Sequence, residues 1–286
     1  MTDSARIVLS ASRRTDIPAF YLDWFLEGIQ RGHFDVIQPY NRRRLQVPAT
    51  PDRVHTIVFW SKDFGAFLDR RVGEDLLRSG FHLFFNFTVN SENRLLEPKV
   101  PALERRLDQM VRLAQRFGPA AIHWRFDPIC RYRTPDGRRG HNQTDFLPIA
   151  QVAARAGIRR CITSFVDLYP KVERRAARCG VVFEDPPPEV KSALFEAMAA
   201  DLAPLGITLE TCCENEALAG LEPYRRVRPA SCIPSERLMA LYGGRLSRRR
   251  DPGQRRRSGC RCGVSCDIGS YALHPCHHGC LFCYAA

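Results

Sequence analysis

Short runs rich in β-branched and aromatic residues alternate along this chain with longer amphipathic stretches, and that rhythm constrains its fold most tightly. The runs are RIVLSAS (6–12), DVIQPY (35–40), HTIVFWS (55–61), FHLFFNFTV (81–89), AAIHWRFD (120–127), RCITSFVD (160–167), ITLETCC (207–213) and SCDIGSY (265–271). Helical patterns lie between most of them. PAFYLDWFLEGIQRG opens with Pro18 in its first turn and stops at Gly32; VPALERRLDQMVRLAQRFG and PPPEVKSALFEAMAADLAPLG carry the same punctuation. Such alternation predicts βα units and a parallel sheet. Eight strands in 286 residues predict an α/β fold of the (β/α)8 TIM-barrel type, with an open doubly wound sheet as the alternative. No internal repeat or clean linker divides the sequence, so residues 1–286 read as one barrel domain.

The apolar stretches are far shorter than a membrane span, and MTDSARIVLSASRRTD lacks a signal-peptide pattern. A cytoplasmic protein with no membrane partner is expected. Twelve cysteines in a chain of this length do not make a disulfide scaffold, because those are short and loop-rich. Clustered thiols in a reducing compartment read as metal ligands, and six of the twelve fall in the last 27 residues. The net charge of +12 raises nucleic acid as a partner, but 39 of the 43 basic residues are Arg. The one concentrated basic patch, RLSRRRDPGQRRR (245–257), reads as a solvated loop or as a phosphate-contacting surface.

Parallel α/β folds place their sites at the C-terminal ends of the strands. Polar residues gather there: Ser12 to Asp16 with Arg13 and Arg14, Asn41 and Arg42, Ser61 and Lys62, Asn86, Arg125 with Asp127, Ser164 with Asp167, and Glu210 with Cys212. Asp16 before Ile17-Pro18 also reads as a helix N-cap.

If SCDIGSY is the eighth strand, ALHPCHHGCLFCYAA leaves its C-terminal end and brings three cysteines to the catalytic face. Cys276-x3-Cys280-x2-Cys283, with Phe282 before the last cysteine, resembles the radical S-adenosylmethionine signature, and CHHGCLFCYA is similar to the spore photoproduct lyase branch. The resemblance implies a [4Fe–4S] cluster on Cys276, Cys280 and Cys283, with the fourth iron open to S-adenosylmethionine. It also implies reductive cleavage to a 5′-deoxyadenosyl radical that abstracts hydrogen from substrate. In that superfamily the loop commonly follows the first barrel strand. Its place at 272–286 therefore implies a circularly permuted barrel, whose closure makes the first and last strands neighbours. Under that mapping Arg13 or Arg14 pairs with the cofactor carboxylate, Asp16 accepts from its amino group, and Phe282 belongs to the cofactor site. A tetrahedral zinc site of the three cysteines with one histidine, His274, His277 or His278, stays open on spacing alone.

A wider set of stretches, SASRRTDIPAFY, IVFWSKD, HWRFDPI, CITSFVDLYPK, RDPGQRRRSGCRC and DIGSYALHPCHHGCLFCYA, resembles a prokaryotic family, the domain-of-unknown-function family eighteen forty-eight. That resemblance runs from about Ile7 to the end and sets Cys212, Cys232, Cys260 and Cys262 beside the terminal trio, within a cysteine-bearing insertion over 212–262. Four thiolates fit an auxiliary [4Fe–4S] cluster or a four-cysteine zinc site. Cys130, Cys161 and Cys179 read as ordinary thiols.

The expected activity is thus that of an S-adenosylmethionine-dependent radical enzyme, with a small reductant protein such as ferredoxin or flavodoxin as electron donor and an unassigned substrate, nucleic acid among the candidates. Arg125, Asp127, Asp167, Tyr169 and Lys171 are expected on the substrate side. Tyr169 reads as a radical relay or a packed phenol, Arg125–Asp127 as functional or as a brace, and Lys62 as a general acid or a solvated rim charge. The alternative is a non-catalytic zinc-stapled or iron–sulfur electron-transfer protein.

Overall fold

The computed structural model describes residues 6–37, 43–221, 226–255 and 258–285. Eight strands form one sheet in which every pairing is parallel: β1 Ile7–Ala11, β2 Val54–Ser61, β3 Leu83–Thr88, β4 Ile122–Arg125, β5 Arg160–Thr163, β6 Thr208–Thr211, β7 Val227–Pro229 and β8 Cys266–Asp267. Their order across the sheet is β8-β1-β2-β3-β4-β5-β6-β7. Sequential neighbours are joined through helices, and β8 returns to lie beside β1.

The sheet is open, which corrects the expected (β/α)8 barrel, permuted or otherwise: β7 and β8 are its two edges and do not pair with each other. Both edges are too short to continue a ladder. β7 has three residues and ends on Pro229, which has no N–H to donate, and β8 pairs only Cys266 and Asp267 with Leu9 and Ser10. The protein is a mixed α/β fold with a large parallel sheet. Two strand assignments also change. Residues 35–37 of DVIQPY belong to a strand, His33–Ile37, that pairs antiparallel with Arg44–Pro48 outside the main sheet; residues 38–40 lie outside the described residues. Phe34 and Val36 are buried there while Asp35 and Ile37 are exposed, the alternation of a one-faced ribbon. The run 265–271 contributes only its second and third residues as strand.

Period-two alternation divides the sheet's side chains between two cores. Leu9, Ile57, Phe59, Phe85, Phe87, Trp124 and Leu209 pack with helix residues such as Phe25, Phe67, Met110 and Phe195. Helix Leu103–Phe117 buries Met110 and Leu113, and helix Pro188–Leu202 buries Phe195, Met198 and Leu202. Each such side chain contributes on the order of 1.5–3 kcal/mol on burial. Residues of the opposite parity, Val8, Val58, Phe84 and Ile162, pack instead with Ile233, Leu238, Cys232, Cys260 and Cys262. The segment after β7 therefore covers the second face and brings cysteines with it. Among the described residues, no helix is long and apolar enough to cross a membrane.

Candidate functional site

A cavity of about 940 Å3 opens where the strands end. It collects residues from the loops after β1, β2, β4, β5, β6 and β8, and both cysteine sets line it.

The loop after β1 is tied to β8 by one carboxylate. Asp267 accepts from Ser10 Oγ at 3.0 Å, Ser12 Oγ at 2.5 Å, Arg13 N at 2.8 Å and Gly269 N at 3.0 Å. Gly269 is required there, since a Cβ would lie 2.2 Å from Ser12 Oγ. Asp16 works in the same manner toward the other side. Its carboxylate caps the helix at Ile17 by accepting from Ala19 N at 3.0 Å, and also accepts from Ser61 Oγ at 2.7 Å and Lys62 N at 2.8 Å. His278 Nε2 lies 2.8 Å from it. Asp16 thus joins β1, β2 and the cysteine loop, and the cap reading of the sequence is observed directly.

The three-cysteine loop is anchored mainly through its backbone. Leu281 N donates to Leu96 O at 2.9 Å, and His278 O accepts from Lys99 N at 3.2 Å. Arg175 Nη1 donates to Cys280 O at 3.2 Å and to Cys283 O at 2.7 Å. Cys276, Cys280 and Cys283 lie within electrostatic reach of one another, and burial raises the Cys276 thiol to about 11. Lys62 stands behind this loop rather than in solvent: Nζ is 2.5 Å from Glu97 Oε1 and 5.3 Å from the Phe282 ring centroid. Burial acts to lower its pKa, but Glu97 and Cys280 outweigh burial and raise it, so the ammonium stays charged. His274 and His277 pack about Tyr21: the His274 ring centroid is 5.0 Å from that of Tyr21, and Tyr21 Oη is 3.3 Å from His277 Nε2.

The second set assembles from three separate elements: Cys212 and Cys213 after β6, Cys232 after β7, and Cys260 and Cys262 before β8. Cys212 Sγ is 3.6 Å from Cys213 Sγ. Cys260 interacts with Cys212, Cys213 and Cys262, which together pull its thiol well below the usual range. Cys232 is pushed up to about 12, first by Cys212, with burial adding to the rise and Cys262 opposing it. Cys213, a fifth thiol beside Cys212 and Cys260, adopts a left-handed backbone at φ 62°.

Arg125 faces this second set, donating from Nη1 to Cys232 Sγ at 2.7 Å and from Nη2 to Asp127. Asp127 also accepts from Ser164 Oγ. Asp167 pairs with Arg255, and Tyr169 and Tyr284 lie with ring centroids 6.3 Å apart. Lys171 stands 5.9 Å from the Tyr271 ring centroid, as Arg14 does, and has no carboxylate partner among the described residues. Asn86 and Glu210 are not part of the cavity wall: Asn86 Nδ2 donates to Cys232 O at 3.0 Å, and Glu210 pairs with Arg160. Asn41, Arg42, Arg256 and Arg257 lie outside the described residues. Sequence reasoning missed Glu97 and Arg175, which sit in no recognisable motif, and Trp60 and Asp267, which lie in the family-like stretches IVFWSKD and DIGSYALHPCHHGCLFCYA without a spacing that marks them as site residues.

Among the described residues, no three His, Cys, Asp or Glu side chains are disposed as ligands of a single metal ion. A cluster distributes its thiolates over different irons, so its ligands need not converge on one point. Both donor sets consist of sulfur, the ligand that iron–sulfur clusters and zinc share.

Fold and site together define a cysteine-rich α/β protein with an open parallel sheet and two thiol sets facing one cavity. The chain belongs to the family described as Domain of unknown function (DUF1848), whose model matches residues 8–285. No curated protein matches it.

Proposed function

We propose that the protein is an iron–sulfur, S-adenosylmethionine-dependent radical enzyme that abstracts hydrogen from an organic substrate. The observation that carries this reading is that Cys276, Cys280 and Cys283 line the same cavity as the polar loops after β1, β4 and β5. Those three thiols would hold a [4Fe–4S] cluster with one iron left for the cofactor, and Cys212, Cys232, Cys260 and Cys262 a second, fully ligated cluster. When bound, the cofactor supplies a carbon radical by one-electron cleavage of its sulfonium.

The chain's own residues bind, orient and shield. Arg14 Nη1 donates to Gly269 O at 2.9 Å and faces Tyr271, holding a charged, planar wall beside the cysteine loop. Burial raises the Cys276 and Cys280 thiols, and the buried positive charge of Lys62 behind them offsets part of that rise. Phe282 covers Lys62 and keeps water from that side. Asp127, Asp167, Tyr169 and Lys171 line the same cavity and would face substrate; among the described residues Lys171 is the lining cation without a carboxylate partner, suited to an anionic group. A ferredoxin- or flavodoxin-like donor would supply the electron.

The test is anaerobic iron and sulfide analysis with EPR of the dithionite-reduced protein, before and after adding S-adenosylmethionine. The expected result is about eight irons per chain and one signal of two perturbed by the cofactor. Zinc without iron, or clusters indifferent to the cofactor, would overturn the reading.

A further inference from the structure

Two guanidinium groups stack with one indole beside the second cysteine set. The Cζ of Arg125 lies 5.1 Å from the Trp60 ring centroid and that of Arg13 lies 5.4 Å from it. Arg125 Nη1 donates directly to Cys232 Sγ at 2.7 Å. Arg13 Nη1 donates to Ser265 Oγ at 3.2 Å and lies 3.8 Å from Asp251 Oδ2, whereas its Nη2 is buried with no hydrogen-bond partner among the described residues. The charges acting on Arg13 include Cys262 and Cys232 as well as Asp267 and Asp251. A guanidinium stays ionised when buried and stacks on an aromatic face without losing its donors. Each also has a carboxylate beside it, Asp127 for Arg125 and Asp251 for Arg13, yet both charges act on Cys232 as well.

We propose that Arg13 and Arg125 are the counter-charges of the second cysteine centre and set the potential at which it takes up an electron. This rests on the iron–sulfur reading of Cys212, Cys232, Cys260 and Cys262. On reduction the centre gains one electron and a one-electron donor loses it; no bond forms or breaks and no proton moves. The centre becomes one unit more negative in a water-poor region, where a cation hydrogen-bonded to a ligand sulfur favours the reduced form. Arg125, in direct contact, has the larger effect. Arg13, reaching the sulfurs only through its charge, has the smaller. Both are positioning residues: they act on the centre through its ligands.

The experiment is an EPR-monitored redox titration of the full chain, reconstituted anaerobically and reduced with dithionite, comparing wild type with Arg125→Met, Arg125→Lys and Arg13→Met. At the potential that half-reduces the wild-type second centre, Arg125→Met should show a reduced-to-oxidised ratio about tenfold lower. That is a midpoint about 59 mV more negative for one electron. Arg125→Lys should keep most of the wild-type value and Arg13→Met should shift less than Arg125→Met. The signal perturbed by S-adenosylmethionine should titrate as in wild type. An iron-loaded second centre whose midpoint is unmoved in all three variants would overturn the inference alone, as would an equal shift of both centres. Zinc in place of iron would overturn the iron–sulfur reading, and this inference with it. Should Arg125→Met fail to fold, Arg125→Lys and Arg13→Met carry the comparison, with circular dichroism confirming their fold.

Discussion

The two cysteine sets share a cavity but are built on opposite principles. The terminal set comes from one eight-residue stretch, Cys276 to Cys283, fixed by backbone hydrogen bonds to Leu96, Lys99 and Arg175. The second set draws on three elements separated by up to fifty residues, and its sulfurs touch each other and Arg125. A contiguous loop can keep its shape while one coordination position stays open. A centre gathered from three elements needs all of them in place, and in return it would staple the covering stretches 230–255 and 258–262 onto the sheet. The first arrangement suits exchange with a small molecule. The second suits a closed centre that holds structure and charge.

That contrast breaks most sharply under cysteine replacement. Replacing Cys276, Cys280 and Cys283 together with Ala should abolish the cofactor-sensitive EPR signal completely while leaving the second signal and the melting temperature near wild type. Replacing Cys260 and Cys262 with Ala should remove the other signal. It should also destabilise the fold, because the centre that would tie this buried pair to Cys212 and Cys232 is lost from the core on the second face. Equal destabilisation by both replacements, measured by thermal melts of the iron-loaded protein, would mean that the two sets do the same job.

A smaller effect separates the anchoring of the loop from its chemistry. Arg175→Met removes two charge-assisted hydrogen bonds to the carbonyls of Cys280 and Cys283, each worth about 1.5–3 kcal/mol to local order. The loop amides should exchange hydrogen faster, and the cofactor-sensitive cluster should lose iron to a chelator sooner. The second cluster should be untouched. Unaltered exchange at residues 280–283 would show that the contacts to Leu96 and Lys99 hold the loop by themselves.

How far the sequence revealed this molecule follows the same division. The βα rhythm was legible because hydrophobic periodicity is local, and the strands at 54–61 and 83–88 lie almost where the apolar runs place them. Closure was not legible, since it depends on how the ends of the sheet meet. Val227–Pro229 is too short and too polar to read as a strand, and its proline limits pairing at that edge. The terminal loop declared itself through spacing. The second set could be grouped by resemblance, but its contact with Arg125 and the stacked Trp60 comes only from folding. Glu97 carried no signal at all: nothing in SENRLLEPKV announces a buried partner for Lys62.

The smallest expected effect lies on the face of β4 that packs against Phe84. His123 is 1% exposed and neither ring nitrogen has a partner; its ring packs edge-on against Phe84 at 4.7 Å. Burial holds it well below the usual histidine pKa, and Arg237, Arg160 and Arg125 add to the depression. The unfolded chain takes up a proton at this residue below about pH 6.5, whereas the folded protein does so only at lower pH. Its contribution to stability is therefore complete above that pH and declines as pH falls, at a slope of up to about 1.4 kcal/mol per pH unit. His55, buried against Thr56 and the Gly243 carbonyl, adds a decline of the same sign, with burial again the main cause. His123→Phe removes one of these two titrations and keeps the packing on Phe84. Urea midpoints measured from pH 8 to pH 5 should match wild type or exceed it slightly at the upper end, with the variant losing less toward the lower end. Parallel pH curves would mean that His123 is reached by solvent and titrates normally, so that this second-face core is wetter than its packing implies.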